Sequence, residues 1–272
     1  MFQVFQKTVL KVLLTVLFLS ASSSFAEEEA KPVPSSPSAE TILLEANQRM
    51  YAVKDQTAQV TFRVVNANGV EKKTVFRLYW KNYIGQENLV GKILLVTEFP
   101  AHDKGEKFLL WERTEENQSD LWLYLPDLRQ VRRIQQEKHR HDKEDDSDLL
   151  FEDIHPRSID RDEHRLLPDE TVRGESCAVI ETLFKGHPLY LKKRVYISKG
   201  EGVIRRIDFF SPAGGLLKTQ SIDWQKIDQV WVWKTSQVVH PNALRKTFVE
   251  MTDVKVNVGL PDDQFSERAL RR

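Results

Sequence analysis

Gln59-Val-Thr-Phe-Arg-Val-Val-Asn-Ala-Asn-Gly-Val-Glu-Lys-Lys-Thr-Val-Phe-Arg-Leu-Tyr-Trp-Lys81 is the stretch from which the fold can be read. Val60, Phe62 and Val64 alternate with Gln59, Thr61 and Arg63. Only an extended strand gathers side chains of that period onto one apolar face. Asn66-Ala-Asn-Gly69 then reads as a turn, with Gly69 suited to positive φ. Beyond it Phe76, Leu78 and Trp80 alternate with Arg77, Tyr79 and Lys81, which completes a hairpin.

The same pattern continues downstream. Strand-like runs occupy 92–99, 107–113, 121–125, 178–184, 189–198, 203–210, 216–224, 230–238 and 245–258. Gly200-Glu-Gly202, Pro212-Ala-Gly-Gly215 and Pro241-Asn242 mark turns between them. Upstream, Ser38 is a good N-cap and Glu40 sits near the positive end of a helix. Ile42, Leu43, Ala46, Met50 and Val53 follow helical spacing. No helices alternate with the strands, which argues against a doubly wound parallel sheet. The expected class is mainly β (α+β), a curved antiparallel meander. A sheet of about ten strands curls or splits as its twist accumulates. An incomplete barrel with a helix in its mouth satisfies the pattern; a closed barrel and a two-sheet sandwich are the competing solutions.

The chain has 272 residues, 40 basic and 40 acidic side chains, and 40% hydrophobic residues, an ordinary globular composition. Lys7 and Lys11 precede Val12-Leu-Leu-Thr-Val-Leu-Phe-Leu19, and Ser24-x-Ala26 is a small-x-small cleavage site. Residues 1–26 therefore read as a cleaved signal peptide. The apolar run is shorter than the roughly 20 residues that span a bilayer. Its removal leaves 38 basic and 40 acidic residues, because Lys7 and Lys11 leave with it. Residues 27–38, rich in Glu, Pro and Ser, form an expected disordered leader, and 39–272 a single domain. A balanced charge argues against nucleic acid as a partner. Neither G-x-x-x-x-G-K-[ST] nor G-x-G-x-x-G occurs. Cys177 is the lone cysteine, in an apolar run that reads as buried.

The central segment breaks the pattern. Leu121-Trp-Leu-Tyr-Leu-Pro126 is followed by Arg129, Arg132, Arg133, Lys138 and Arg140, then by Asp142, Glu144, Asp145, Asp146 and Asp148. Leu149, Leu150, Phe151 and Ile154 form a short amphipathic turn. The segment near 127–156 reads as a charged lid, or as a solvated loop of the kind common at this length. Arg129, Arg132, Arg133, Leu149, Leu150 and Phe151 are its candidate contact residues. The basic group suits anionic lipid headgroups as well as solvent. His139, His141, Asp142, Asp145 and Asp148 have metal-ligand chemistry without a recognised spacing, so no metal is expected. Gly174-Glu-Ser-Cys-Ala178 lacks the second glycine of a nucleophile elbow, and no catalytic constellation is apparent. The protein is not expected to be an enzyme or to need a cofactor.

The segment Asp120-Leu-Trp-Leu-Tyr-Leu-Pro-Asp-Leu-Arg-Gln-Val-Arg-Arg-Ile134 resembles a signature of the outer-membrane lipoprotein-sorting protein family, relatives of the periplasmic carrier LolA and the receptor LolB. Ser147-Asp148 with Phe151-Glu152-Asp153 resembles its next block. Leu217-Lys218-Thr219 is similar to the strand after its glycine turn, and Leu260-Pro-Asp-Asp-Gln-Phe265 to its C-terminal motif. His139-Arg-His-Asp-Lys-Glu-Asp-Asp146 departs from the family, which has an apolar, glycine-containing stretch there. The resemblance implies a periplasmic half-barrel whose concave face holds an acyl chain under covering helices. It implies carriage of a lipid or acylated lipoprotein toward the outer membrane, with a resistance-nodulation-division (RND) type transporter as possible partner. A sensor of envelope stress on the same fold is the alternative. The expected cavity residues are Val60, Phe62, Val64, Phe76, Leu78, Trp80, Leu191, Val195, Ile197, Val203, Ile207 and Phe209. A monomer is expected.

Overall fold

A computed structural model describes residues 37–50, 52–86, 88–114, 119–134, 153, 158–187, 189–242 and 245–272. The described residues belong to one compact unit, Pro37–Arg272. Residues 1–36 lie outside them, so the signal peptide and most of the leader do too. Helix α1 (Ala39–Met50) starts at the expected cap: the Thr41 N–H donates to Ser38 Oγ at 3.2 Å. Leu43 and Ala46 are its buried stripe.

Among the described residues there are thirteen strands. They are β1 (Asp55–Val65), β2 (Glu71–Gln86), β3 (Leu89–Phe99), β4 (Lys107–Arg113), β5 (Asp120–Leu125), β6 (Gln130–Ile134), β7 (Glu163–Val172), β8 (Glu175–Leu183), β9 (Lys192–Ser198), β10 (Ile204–Phe210), β11 (Leu216–Ile227), β12 (Val230–His240) and β13 (Arg245–Val256). They form one sheet in the order β6-β5-β4-β3-β2-β1-β13-β12-β11-β10-β9-β8-β7. Each pair of neighbours is antiparallel. The chain thus zigzags from the centre to one edge, passes to the opposite edge and zigzags back, until β13 closes on β1. The sheet neither splits nor closes: β6 and β7 remain its edges.

Those two edges are the strands that the sequence pattern does not reveal. Residues 130–134, read as the start of a charged lid, pair with β5 instead. Arg133 forms an ion pair with Asp120, and its guanidinium lies 5.8 Å from the Trp122 ring centre. Arg132 is exposed, and Arg129 occupies the turn at positive φ. β7 contains Pro168, which falls at a register shift between Leu167 and Glu170 where the ladder is interrupted. Charge and proline are what sheet edges tolerate, and what keeps them from pairing with other chains.

Antiparallel partners point to the same face, so the register assigns the faces. Ile222 faces Ser236, Ser236 faces Val249, and Val249 faces Phe62. Ile222 packs with α1, so this is the inner face. Under α1 the inner cluster joins Leu43 and Ala46 to Ile180, Val195, Ile207, Phe209, Ile222 and Trp224. A second inner cluster holds Ala58, Val60, Leu78, Trp80 and Val249, with Phe62, Ile93 and Leu95 packed against it.

Alternation suggests a solvated outer face, but across β3–β5 that face is covered. Leu260, Phe265 and Leu270 of the C-terminal segment pack on Leu94, Leu109 and Trp122. The Trp111 indole donates to the Phe265 carbonyl at 2.8 Å. Buried Asp55 accepts from the N–H groups of Val258 (2.7 Å), Gly259 (3.1 Å) and Leu260 (3.2 Å). This carboxylate fixes the turn that sends the chain across the sheet. Lys81 Nζ adds a bond to the Leu260 carbonyl at 2.7 Å.

Candidate functional site

Nine of the twelve candidate cavity residues belong to the two inner clusters. Val60, Phe62, Leu78 and Trp80 belong to the β1–β2 side. Val195, Ile197, Val203, Ile207 and Phe209 belong to the side under α1. Phe76 links Phe62 to Phe108 through edge-to-face contacts, with ring centres 5.9 and 6.2 Å apart. Val64 is buried near the far end of β1, outside both clusters, and Leu191 is 38% exposed. Of the candidate lid residues, Leu149, Leu150 and Phe151 lie outside the described residues, as do His139, His141, Asp142, Asp145 and Asp148. Among the described residues no group of three or more His, Cys, Asp or Glu side chains could hold a metal ion.

The inner face continues beyond those twelve positions. Leu78 is opposite Leu95, Trp80 opposite Ile93, Leu95 opposite Phe108, and Phe108 opposite Leu123. One row of apolar side chains, Ala58, Leu78, Leu95, Phe108 and Leu123, therefore crosses β1 to β5, and a second, Trp80, Ile93, Leu110 and Leu121, crosses β2 to β5. Ile93, Leu95, Phe108 and Leu123 of these rows are half-buried, as are Phe62 and Phe76 beside them on the same face. Among the described residues one helix of 12 residues, α1, covers the opposite half.

Several polar groups stand inside this apolar face. Glu112 is buried on β4 opposite Gly91. Burial pushes its carboxyl up to about 8, so it keeps its proton at neutral pH. A Cβ at position 91 would lie 2.9 Å from Trp80 Nε1 and 3.0 Å from Glu112 Oε2. Only glycine leaves the indole and the carboxyl their places.

The second is an ion pair. Lys218 Nζ meets Asp153 Oδ2 at 2.5 Å, with side chains 4% and 0% exposed. The Tyr190 hydroxyl donates to Asp153 Oδ1 at 2.7 Å. The ammonium also lies 5.2 Å from the Tyr190 ring centre and 5.1 Å from that of Phe209. Asp153 and Lys218 come from two of the sequence blocks singled out above. The fold brings those blocks together across 65 positions. The pair ties Asp153 to the start of β11.

Others line a cavity of about 70 Å³ between α1 and the sheet. Leu43, Met50, Val195, Ile207, Ile222 and Trp233 form its apolar wall. Gln220, Thr182, His164, Lys193 and Asn47 interrupt it. His164 Nε2 lies 2.7 Å from the Ile159 carbonyl and so must donate to it. In the neutral ring Nδ1 is then an acceptor, and the Thr182 hydroxyl, 2.9 Å away, donates to it. Gln220 Nε2 donates to Ser236 Oγ at 3.1 Å, while Gln220 Oε1 is buried without a partner. Sequence reading passed over Gln220 and Glu112, and noticed Lys218 only as part of a family block. Each shares its strand's core-facing parity, and that was the available signal.

No helix among the described residues is long and apolar enough to cross a membrane. A comparison with curated proteins gives no match. A model of a family described as uncharacterized protein matches residues 91–272, two thirds of the chain. Three solved structures share the fold. A putative outer membrane lipoprotein-sorting protein domain from Vibrio parahaemolyticus is 24% identical, with 86% of this chain and 98% of that one covered and a TM-score of 0.75. A DUF1329 family protein from Desulfovibrio piger is 25% identical, covers 85% and 97%, and gives a TM-score of 0.76. A LolA superfamily protein from Nitrosomonas europaea is 18% identical, covers 86% and 100%, and gives 0.65. None of the three is named as an enzyme. The chain belongs to the matched family, and its fold is that of the LolA-like outer membrane lipoprotein-sorting proteins.

Proposed function

We propose that this protein is a periplasmic carrier that buries an acyl chain of a lipid or acylated lipoprotein on its inner face and delivers it toward the outer membrane. One observation carries the reading: the apolar inner face of an unclosed sheet extends well past the area that α1 covers. Binding is non-covalent. Each buried methylene contributes about 0.8 kcal/mol, so a modest stretch of chain gives useful affinity. The cavity of about 70 Å³ under α1 is smaller than a whole acyl chain. Loading there requires α1 to shift, whereas the half-buried residues between Phe62 and Leu123 lie outside the area that α1 covers. An RND-type transporter suits the role of donor or acceptor.

The test is native mass spectrometry with lipid extraction on protein lacking residues 1–26, purified from the periplasm without detergent. A stoichiometric co-purifying lipid, reduced in a folded Phe62→Glu variant, is the expected result. A bare mass, with no uptake of offered lipid, sinks the carrier reading.

A further inference from the structure

The cavity beneath α1 is neither a plain apolar slot nor a charged one. Its lining joins the apolar side chains of Leu43, Ile207 and Trp233 to the amide of Gln220 and the hydroxyl of Thr182. Gln220 is 1% exposed, and its Oε1 has no hydrogen-bond partner while its Nε2 is used by Ser236. Leaving a buried acceptor unpaired is costly, and an apolar residue of the same length would avoid that cost. The Thr182 hydroxyl is hydrogen-bonded to His164 Nδ1, and its oxygen can accept a further bond. Gln220 Oε1 therefore lacks a donor, and Thr182, which lines the same cavity, can share one.

We propose that this cavity is a subsite for the neutral hydrogen-bond donor of an amphiphilic ligand, a hydroxyl or an amide N–H next to the acyl chain, received by Gln220 Oε1. The inference rests on the carrier reading and narrows its ligand class. Asp153, Asp162 and Lys193 also line the space, and Asp153 is paired with Lys218, so the lining holds no excess of positive charge for an anionic headgroup. The apolar wall takes the first methylenes, and the donor sits where the lining changes from apolar to polar. A free fatty acid or a simple ester brings no such donor at neutral pH.

Three probes with the same chain separate the possibilities: 1-monopalmitoylglycerol supplies hydroxyls, N-palmitoylglycine methyl ester supplies an amide N–H, and methyl palmitate supplies neither. Binding is read by quenching of tryptophan fluorescence with brominated-chain versions, since Trp233 lines the cavity. One recovered hydrogen bond to a buried acceptor predicts about tenfold tighter binding of a donor probe than of methyl palmitate. The hydroxyl and amide arms identify the source of the donor. In Gln220→Met, or in Gln220→Leu should the first variant misfold, the preference disappears while methyl palmitate binding persists. Equal binding of all three probes to the native protein overturns the proposal. So does a preference that survives in the variant. A variant that gains thermal stability without any change in selectivity overturns it too, because the amide then serves an internal water only. If none of the probes binds, the carrier reading fails and this inference falls with it.

Discussion

Lys218→Met isolates the contribution of the buried ion pair. The substitution keeps the length and apolar stem of the side chain and removes only the ammonium, leaving the Asp153 carboxylate with the Tyr190 hydroxyl. The Asp153 side chain is 0% exposed, so water cannot take over from the lost cation. Removing one partner of such a pair costs about 3–5 kcal/mol. The ammonium also lies over two rings, at 5.2 and 5.1 Å, and losing those contacts pushes the cost toward the upper end of that range. For a chain of this size that is a fall in Tm of roughly 6–20 °C. Asp153→Leu should cost a similar amount, because it strands the ammonium. The double variant Asp153→Leu with Lys218→Met should recover most of the loss, giving a coupling energy above about 2 kcal/mol. Urea unfolding followed by circular dichroism measures all three variants, and the cost should barely change with added salt, because a buried pair is poorly screened. Single losses below about 1 kcal/mol, or a double variant as unstable as the sum of the singles, would refute the assignment of a desolvated, coupled pair.

Glu112 gives a pH signature: its folded-state pKa of about 8 stands above the unfolded carboxyl value, so its contribution is fully present below about 4.5 and is lost as pH rises toward 8. The slope is about 1.4 kcal/mol per pH unit, and in Glu112→Gln that component should vanish from unfolding curves taken across the window, whereas an unchanged slope would place the titration elsewhere. Gly91→Ala forces a Cβ to within 2.9 Å of Trp80 Nε1 and 3.3 Å of the Lys81 carbonyl, and about 1–3 kcal/mol of destabilisation should appear in thermal melts. Asp55→Ala deprives three backbone N–H groups of their acceptor; the C-terminal segment should become the first site of limited proteolysis, and wild-type resistance there would contradict that anchoring.

Much of this architecture was legible wherever one face of a strand is buried. The hairpin from Val60 to Trp80 and the nine runs after it alternate because the inner face selects apolar residues at every second position. The Ser38 cap and the apolar stripe of α1 were legible for the corresponding helical reason. The edges were not. Gln130-Val-Arg-Arg-Ile134 has one neighbour in the ladder and a charged rim, so its sequence resembles a loop. β7 hides behind Pro168 in the same way. The roles of the polar groups on the inner face were missed for a different reason. Lys218, Gln220 and Glu112 look like ordinary interruptions in their strands, and only topology shows which side they face and what meets them. Asp153 and Lys218 were both noticed, yet nothing local says that the two belong together.

The position of β1 beside β13 has a consequence for how the chain folds as it is made. β1 to β6 and β7 to β13 are each runs of local hairpins that can zip up as they emerge. The ladder between Gln56 and Val256 joins the two halves across 200 positions and must wait for the last strand to appear. Until then the middle of the future sheet is a bare edge on each half, eleven residues long in β1. A polypeptide interrupted before Arg245 would keep that edge permanently and recruit other strands to it. The C-terminal clamp on Asp55 lies at the same seam, so arrival of the final residues both completes the sheet and bolts its two halves together.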